Sequence, residues 1–270
     1  MSIVRYAEAG AANEPSPSIW KDCPRERLVS EGMGYYFHEE FLGGATGSFA
    51  TAITGVGSHF GLTTVGAATV LSQKAGELGG WMDLETDGSD NDAWALHTEP
   101  MARIVLNSGL KVWIETYMEI GDADGDQGFF FGFAEEAALS TAMVADDAGA
   151  LIGESYVGFR ILTGEDAIDF AYKLDAGTEV VVTSDVTANA LVSGAAALAD
   201  ATPFKLGMRF DGRETIQVFV NGVKIAELSL VSSTFADAVN MGAILTLKTG
   251  AAAAESAAID WVRVGYQARL

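Results

Sequence analysis

"KVWIETYMEI", residues 111–120, alternates without a break: Val112, Ile114, Thr116, Met118 and Ile120 on one side, Lys111, Trp113, Glu115, Tyr117 and Glu119 on the other. A period of two residues belongs to a β-strand, whose side chains point to opposite faces in turn. The first face suits a core. The second, mixing rings with carboxylates, suits the polar outer side of a half-buried strand, a groove lining or a partner contact.

The same period recurs along most of the chain. After a Gly/Asp turn, "GFFFGFAE" (128–135) sets Phe129, Phe131 and Phe133 against Phe130, Gly132 and Ala134, a small-residue face that leaves room for another backbone. Further strands are expected at 155–162, 167–174, 178–184, 204–211, 215–220, 223–230, 243–249 and 257–266. Their spacing of roughly 8 to 12 residues marks a sandwich or barrel. Asn221-Gly222 between two of them signals a tight hairpin, because a type I′ turn needs positive φ at both central residues. Helix is expected only at 134–146 and 233–240. Residues 1–30, with Pro15, Pro17 and a short turn at "KDCPRERL", form an irregular arm, and residues 31–270 one β-sandwich domain. The Ala/Gly stretches at 193–201 and 249–258 are expected to be loops or strand edges.

Composition narrows function. With 37 Asp and Glu against 16 Lys and Arg, the formal charge is −21, which argues against nucleic acid, because phosphate binding needs basic side chains. The one cysteine, Cys23, allows no intrachain disulfide. The first twenty residues lack a basic segment followed by an apolar run, so no signal peptide is expected. No stretch approaches the roughly 18 apolar residues of a membrane span.

Candidate chemistry is sparse. Glu115 and Glu119 share a face, as carboxylates do in the E-x-D-x-E strand of glycan-cleaving jelly rolls, but Tyr117 replaces the middle aspartate that would separate their proton affinities. No catalytic residue is therefore assigned. In "GYYFHEEFLGG" (34–44), Glu39 and Glu40 are adjacent and point to opposite faces, so they form no dyad. Tyr35, Phe37 and Glu39 belong to one face of a first strand and Tyr36, His38 and Glu40 to the other. Glu39→Gln and Glu40→Gln are expected to leave folding nearly unchanged. His38, His59 and His97 show no zinc spacing. Asp122, Asp124 and Asp126 repeat like the first ligands of an EF-hand loop, but Phe133 stands where a bidentate Glu is needed. They remain weak calcium candidates, perhaps with the acidic 87–92 stretch, and no other cofactor is expected. Trp113 and Tyr117 are the candidate glycan platform.

The order "SIWKDCPRERL", "GYYFHEEFLG", "GGWMDLETDGSDNDAWAL", "KVWIETYMEI", "GFFFGFAEE", "VGFRI", "FKLGMRFDG", "VFVNGVKIAEL" and "AAIDWVRV" resembles a family of tailed-bacteriophage and prophage structural proteins with a concanavalin A-like jelly roll. The resemblance runs from about residue 18 to the end. It implies an all-β, two-sheet antiparallel sandwich and a non-enzymatic virion component, a capsid decoration or cement protein on the capsid exterior, made in the host cytoplasm. Its partners would be the major capsid protein and further copies of itself, as a homo-oligomer with a trimer favoured, and no nucleic acid or membrane. A carbohydrate-binding tail or fibre module is the alternative, with a glycan hydrolase third. Sugar binding would call for an aromatic platform facing solvent, and catalysis for loss of activity in Glu115→Gln.

Overall fold

The structure is a computed structural model. It describes residues 13–41, 47–49, 53–56, 59–66, 69–74, 80–121, 127–139, 143–144, 151, 153–165, 167–189 and 199–269. Asp122, Asp124 and Asp126 lie outside them, as does the 193–198 stretch.

Two short helices open the described chain, α1 (Pro17–Trp20) and α2 (Arg25–Ser30). Strands follow: β1 (Gly34–Glu39), β2 (Gly47–Phe49), β3 (Ile53–Val56), β4 (Phe60–Val65), β5 (Thr69–Gln73), β6 (Met82–Glu85), β7 (Ala93–His97), β8 (Ala102–Arg103), β9 (Val112–Ile120) and β10 (Gln127–Glu135). After α3 (Glu136–Leu139) come β11 (Tyr156–Ile161), β12 (Asp169–Lys173), β13 (Val180–Thr183), β14 (Phe204–Phe210), β15 (Thr215–Val220), β16 (Val223–Ser229), β17 (Asn240–Thr249) and β18 (Ser256–Gln267).

They pair into two antiparallel sheets. The first runs β16-β15-β14-β9-β18-β6-β5-β2, with β1 also on β18; the second runs β13-β12-β11-β10-β17-β7-β4-β3, with β8 on β17. Strands β9 and β18 are central to the first, β10 and β17 to the second. Alternation explains the core between them: Val112, Ile114, Met118 and Ile120 meet Phe129, Phe131, Phe133, Leu245 and Leu247 in one apolar cluster. Burying such side chains from two facing sheets is what holds a sandwich together.

The Asn221-Gly222 turn is as expected, with φ of 49° and 78°. The turn of helix expected within 134–146 is α3, Glu136–Leu139, with 140–142 and 145–146 outside the described residues. The helix expected at 233–240 is corrected: Val231–Phe235 close into turns while Asn240 already enters β17. So short a run between strands cannot meet the cost of helix nucleation. "KDCPRERL", read as a turn, holds α2, whose Leu28 is buried.

In β1, Phe37 stacks on His59 at 4.4 Å and meets Phe60 edge-on at 5.7 Å. Glu39 is drawn to the edge of the core, its Oε2 3.3 Å from His59 Nδ1, whereas Glu40 is exposed. The two glutamates are therefore not equivalent, and the shared expectation for them is corrected at Glu39. Phe37→Ala should lower unfolding free energy by roughly 3–5 kcal/mol and Glu40→Gln by less than about 0.5 kcal/mol, as urea denaturation measures. Equal losses would contradict the placement.

Candidate functional site

The outer face of the first sheet carries the ring-and-carboxylate side of β9, and strand register arranges it in rows. Arg209, Trp113, Gly265 and Tyr36 form one; Gly207, Glu115, Arg263 and His38 the next; then Lys205, Tyr117 and Trp261; then Glu119, Ala258, Asp83 and Ser72. Every residue of β9 is buried on both faces, unlike the half-buried strand expected from alternation. The cover is the arm.

Residues 13–31 lie across the first two rows and reach the third at Lys205 and Trp261. Glu115 is fully buried and accepts the Ser16 backbone N–H at 3.0 and 3.2 Å and the Trp20 Nε1–H at 2.6 Å. Burial raises its pKa, partly offset by the hydrogen bonds from Ser16 and Trp20 and by the Lys205 ammonium. Asp22 accepts from Lys111 Nζ at 2.7 Å, Arg209 Nη2 at 2.6 Å and Trp113 Nε1 at 3.3 Å. Lys205 Nζ donates to the Glu14 carbonyl at 2.8 Å, and Trp261 Nε1 to that of Asn13 at 2.6 Å. Gly207 makes the approach possible, because a Cβ there would collide with the Ile19 side chain.

Trp113 is thus no glycan platform: its ring is enclosed with Ile19, Trp20, Leu28 and Phe219. Nor do Glu115 and Glu119 present a pair to a glycosidic bond, because both Glu115 oxygens are taken by the arm.

Tyr117, in the third row, groups with Trp81 and Trp261. Trp81 and Tyr117 pack edge-on at 5.3 Å, and Tyr117 and Trp261 are tilted at 6.4 Å. All three are buried, at 7%, 9% and 3% exposure for Trp81, Tyr117 and Trp261. Lys74 bridges rings and carboxylates: its Nζ sits 5.0 Å from the Trp81 ring centroid and pairs with Glu119. In the same row as Glu119, across the small Ala258, stands Asp83. Its pKa is raised by burial first, then by Glu85 and Glu119, against the opposing pull of Lys74. Trp261, Lys74 and Asp83 were not singled out in the sequence. The signal available was parity: Trp81 and Asp83 share it across β6.

The other flagged residues take structural places. Burial, with Arg263 and Arg25 beside it, lowers the His38 pKa to about 4, and Arg263 Nη2 lies 3.0 Å from its Nδ1. His97 Nε2 meets Thr63 Oγ1 at 3.0 Å. Burial, then Asp22, pushes the Cys23 thiol up to about 12, which leaves it a poor nucleophile. On the outer face of the second sheet, buried Arg160 binds Glu165 at 2.9 Å, Glu179 at 3.1 Å and Asp169 at 3.2 Å. Among the described residues no group of three or more His, Cys, Asp or Glu is placed to hold a metal ion.

No protein-family model matches the chain, and no curated protein matches it. Solved structures do. The carbohydrate recognition domain of Emp47p is 12% identical over 85% of this chain and 94% of its own, at a TM-score of 0.53. A protein of unknown function from Shewanella oneidensis MR-1, SO2946, is 13% identical over 92% and 95%, at 0.52. A glycoside hydrolase family 16 endo-glucanase from Bacteroides ovatus is 11% identical over 76% and 94%, at 0.51. At these identities the likeness establishes the fold alone, a concanavalin A-like jelly-roll sandwich.

Because the Glu115 pKa stands above the ordinary value of 4.5, the folded state keeps its proton to a higher pH than the unfolded chain does. That contribution to stability is whole below the unfolded value and is lost as pH rises through the folded one. Urea unfolding should therefore show stability falling from about pH 4.5 upward, more steeply than in Glu115→Gln. Asp83 contributes the same sign in both proteins, so the difference isolates Glu115; identical slopes would contradict its burial.

Proposed function

We propose that the chain is a non-catalytic carbohydrate-binding module whose ligand site is the Trp81, Tyr117 and Trp261 cluster with Lys74, Glu119 and Asp83. The observation that carries this reading is the meeting of three rings with three ionisable side chains around Tyr117, where the Lys74 side chain keeps 27% exposure. Sugars offer an apolar face of C–H groups edged by hydroxyls. Rings stack on the first, and a few convergent polar groups fix the second.

The fold supports the reading, since a carbohydrate recognition domain and a glycan-active enzyme share it, although fold alone does not assign function. The commitment of Glu115 to the arm favours binding over hydrolysis. The capsid-decoration expectation came from the resemblance and from an arm available to a shell. Residues 13–31 are instead engaged by their own sheet, so no contact described here favours that expectation.

A glycan array followed by calorimetry tests the proposal. Saturable binding of an oligosaccharide is expected, reduced at least tenfold in Tyr117→Ala and unchanged in Glu165→Gln on the opposite sheet. Absence of any saturable glycan, or binding indifferent to Tyr117, would overturn it.

A further inference from the structure

The aromatic cluster already holds a cation. The Lys74 ammonium lies against the Trp81 ring and pairs with Glu119. A tryptophan face attracts an ammonium through the ring quadrupole, more strongly where water is excluded. Tyr117 and Trp261 continue the ring wall.

The charges around that ammonium do not balance. Asp83, Glu85 and Glu119 act on one another there, with Lys74 the one cation among the groups that set the Asp83 pKa. Burial first, then Glu85 and Glu119, raises the Asp83 pKa, with Lys74 pulling the other way. The Lys74 side chain is also poorly confined. It is 27% exposed and leaves the sheet just past the end of β5, where its backbone N–H is held by the Trp81 carbonyl at 2.9 Å. A lysine stem so placed can swing its charge into water at little cost.

We propose that this cage receives the ammonium group of an amino sugar, which enters by displacing the Lys74 ammonium from between Trp81 and Glu119. The inference rests on the carbohydrate-binding reading and narrows it to glycans with free amino groups. The incoming ammonium takes over the cation–π contact and the Glu119 pair, Lys74 turns to solvent, and the sugar ring lies along the edges of Tyr117 and Trp261. An N-acetylated sugar lacks the charge, and its acetamide cannot replace the ion pair.

Calorimetry on the full chain separates the alternatives with four probes: a glucosamine tetramer, its fully N-acetylated counterpart, cellotetraose and Nα-acetyl-lysine methylamide. A chain of charge −21 attracts any polycation, so the titrations belong at roughly 0.3 M salt, where exposed charges are largely screened. The glucosamine tetramer should bind at least tenfold more tightly than the other three. Glu119→Gln should remove that preference, and Lys74→Ala should strengthen glucosamine binding. Equal or tighter binding of cellotetraose or the N-acetylated tetramer would overturn the inference and leave the carbohydrate-binding reading standing. No binding of any saccharide would overturn both. Equal binding of the lysine derivative would make the cage a reader of lysine side chains and overturn the sugar assignment. Glucosamine affinity that persists in Glu119→Gln would reduce it to attraction by the acidic surface, also against the inference. The ligand series on the unaltered chain decides even where a variant fails to fold.

Discussion

A carboxylate removed from water must be given donors, and Glu115 takes its donors from the arm. That one requirement organises the outer face of the first sheet. The Ser16 amide and the Trp20 indole are held at Glu115, which places α1 over Gly207 and Trp20 beside Arg263, whose guanidinium lies 5.2 Å from the Trp20 ring. A buried unpaired carboxylate costs several kcal/mol, so the arm is part of the fold: without it, Glu115, Asp22's partners and the Trp113 ring would all face water or remain unsatisfied. Rows through Trp113 and Glu115 become interior, and Glu14 and Asn13 carry the arm on to Lys205 and Trp261.

The two outer faces solve one problem differently. A jelly-roll sheet whose outward side chains are apolar must be covered, and the second sheet uses the segment after β10, where Ala138, Leu139, Met143, Val144 and Leu151 close over Phe130, Ala134 and Tyr156. Beside that apolar cover, Arg160 gathers three carboxylates and Tyr156 donates to one of them, Glu179. For a chain this acidic, each buried cation neutralises repulsion that would otherwise oppose compaction. Lys74 does the same at the Tyr117 end, where it pairs with Glu119 against the Trp81 ring.

Strands were legible because alternation is a local property. Residues 215–220 and 223–229 with their Asn-Gly turn follow directly from sequence, and so does the division of 112–120 into two faces. Alternation says which side a residue takes, not what lies over that side. Trp113 and Tyr117 look alike in sequence, yet Trp113 is enclosed by Ile19, Trp20 and Leu28 while Tyr117 packs with Trp81 and Trp261. The partners that decide this are remote: Ser16 lies 99 residues from Glu115, and Asn13 lies 248 residues from Trp261. Lys74 carries no motif at all; its meaning comes from the β5–β6 pairing that brings it to Trp81. The helix expected at 233–240 failed for the complementary reason, since local preference favours helix only where enough residues are free to propagate one.

Indole N–H resonances of the intact chain, followed during titration with a bound glycan, test the central claim most directly. The chain has five tryptophans, and the account gives them different fates. Trp20 and Trp113 should be slow to exchange with solvent and unmoved by ligand, because the arm holds them against Glu115 and Asp22. Trp81 and Trp261 should shift in proportion to occupancy. Fast exchange at Trp20 and Trp113, or ligand-dependent shifts there with Trp81 unmoved, would contradict an arm that closes one part of the face and leaves the other to bind.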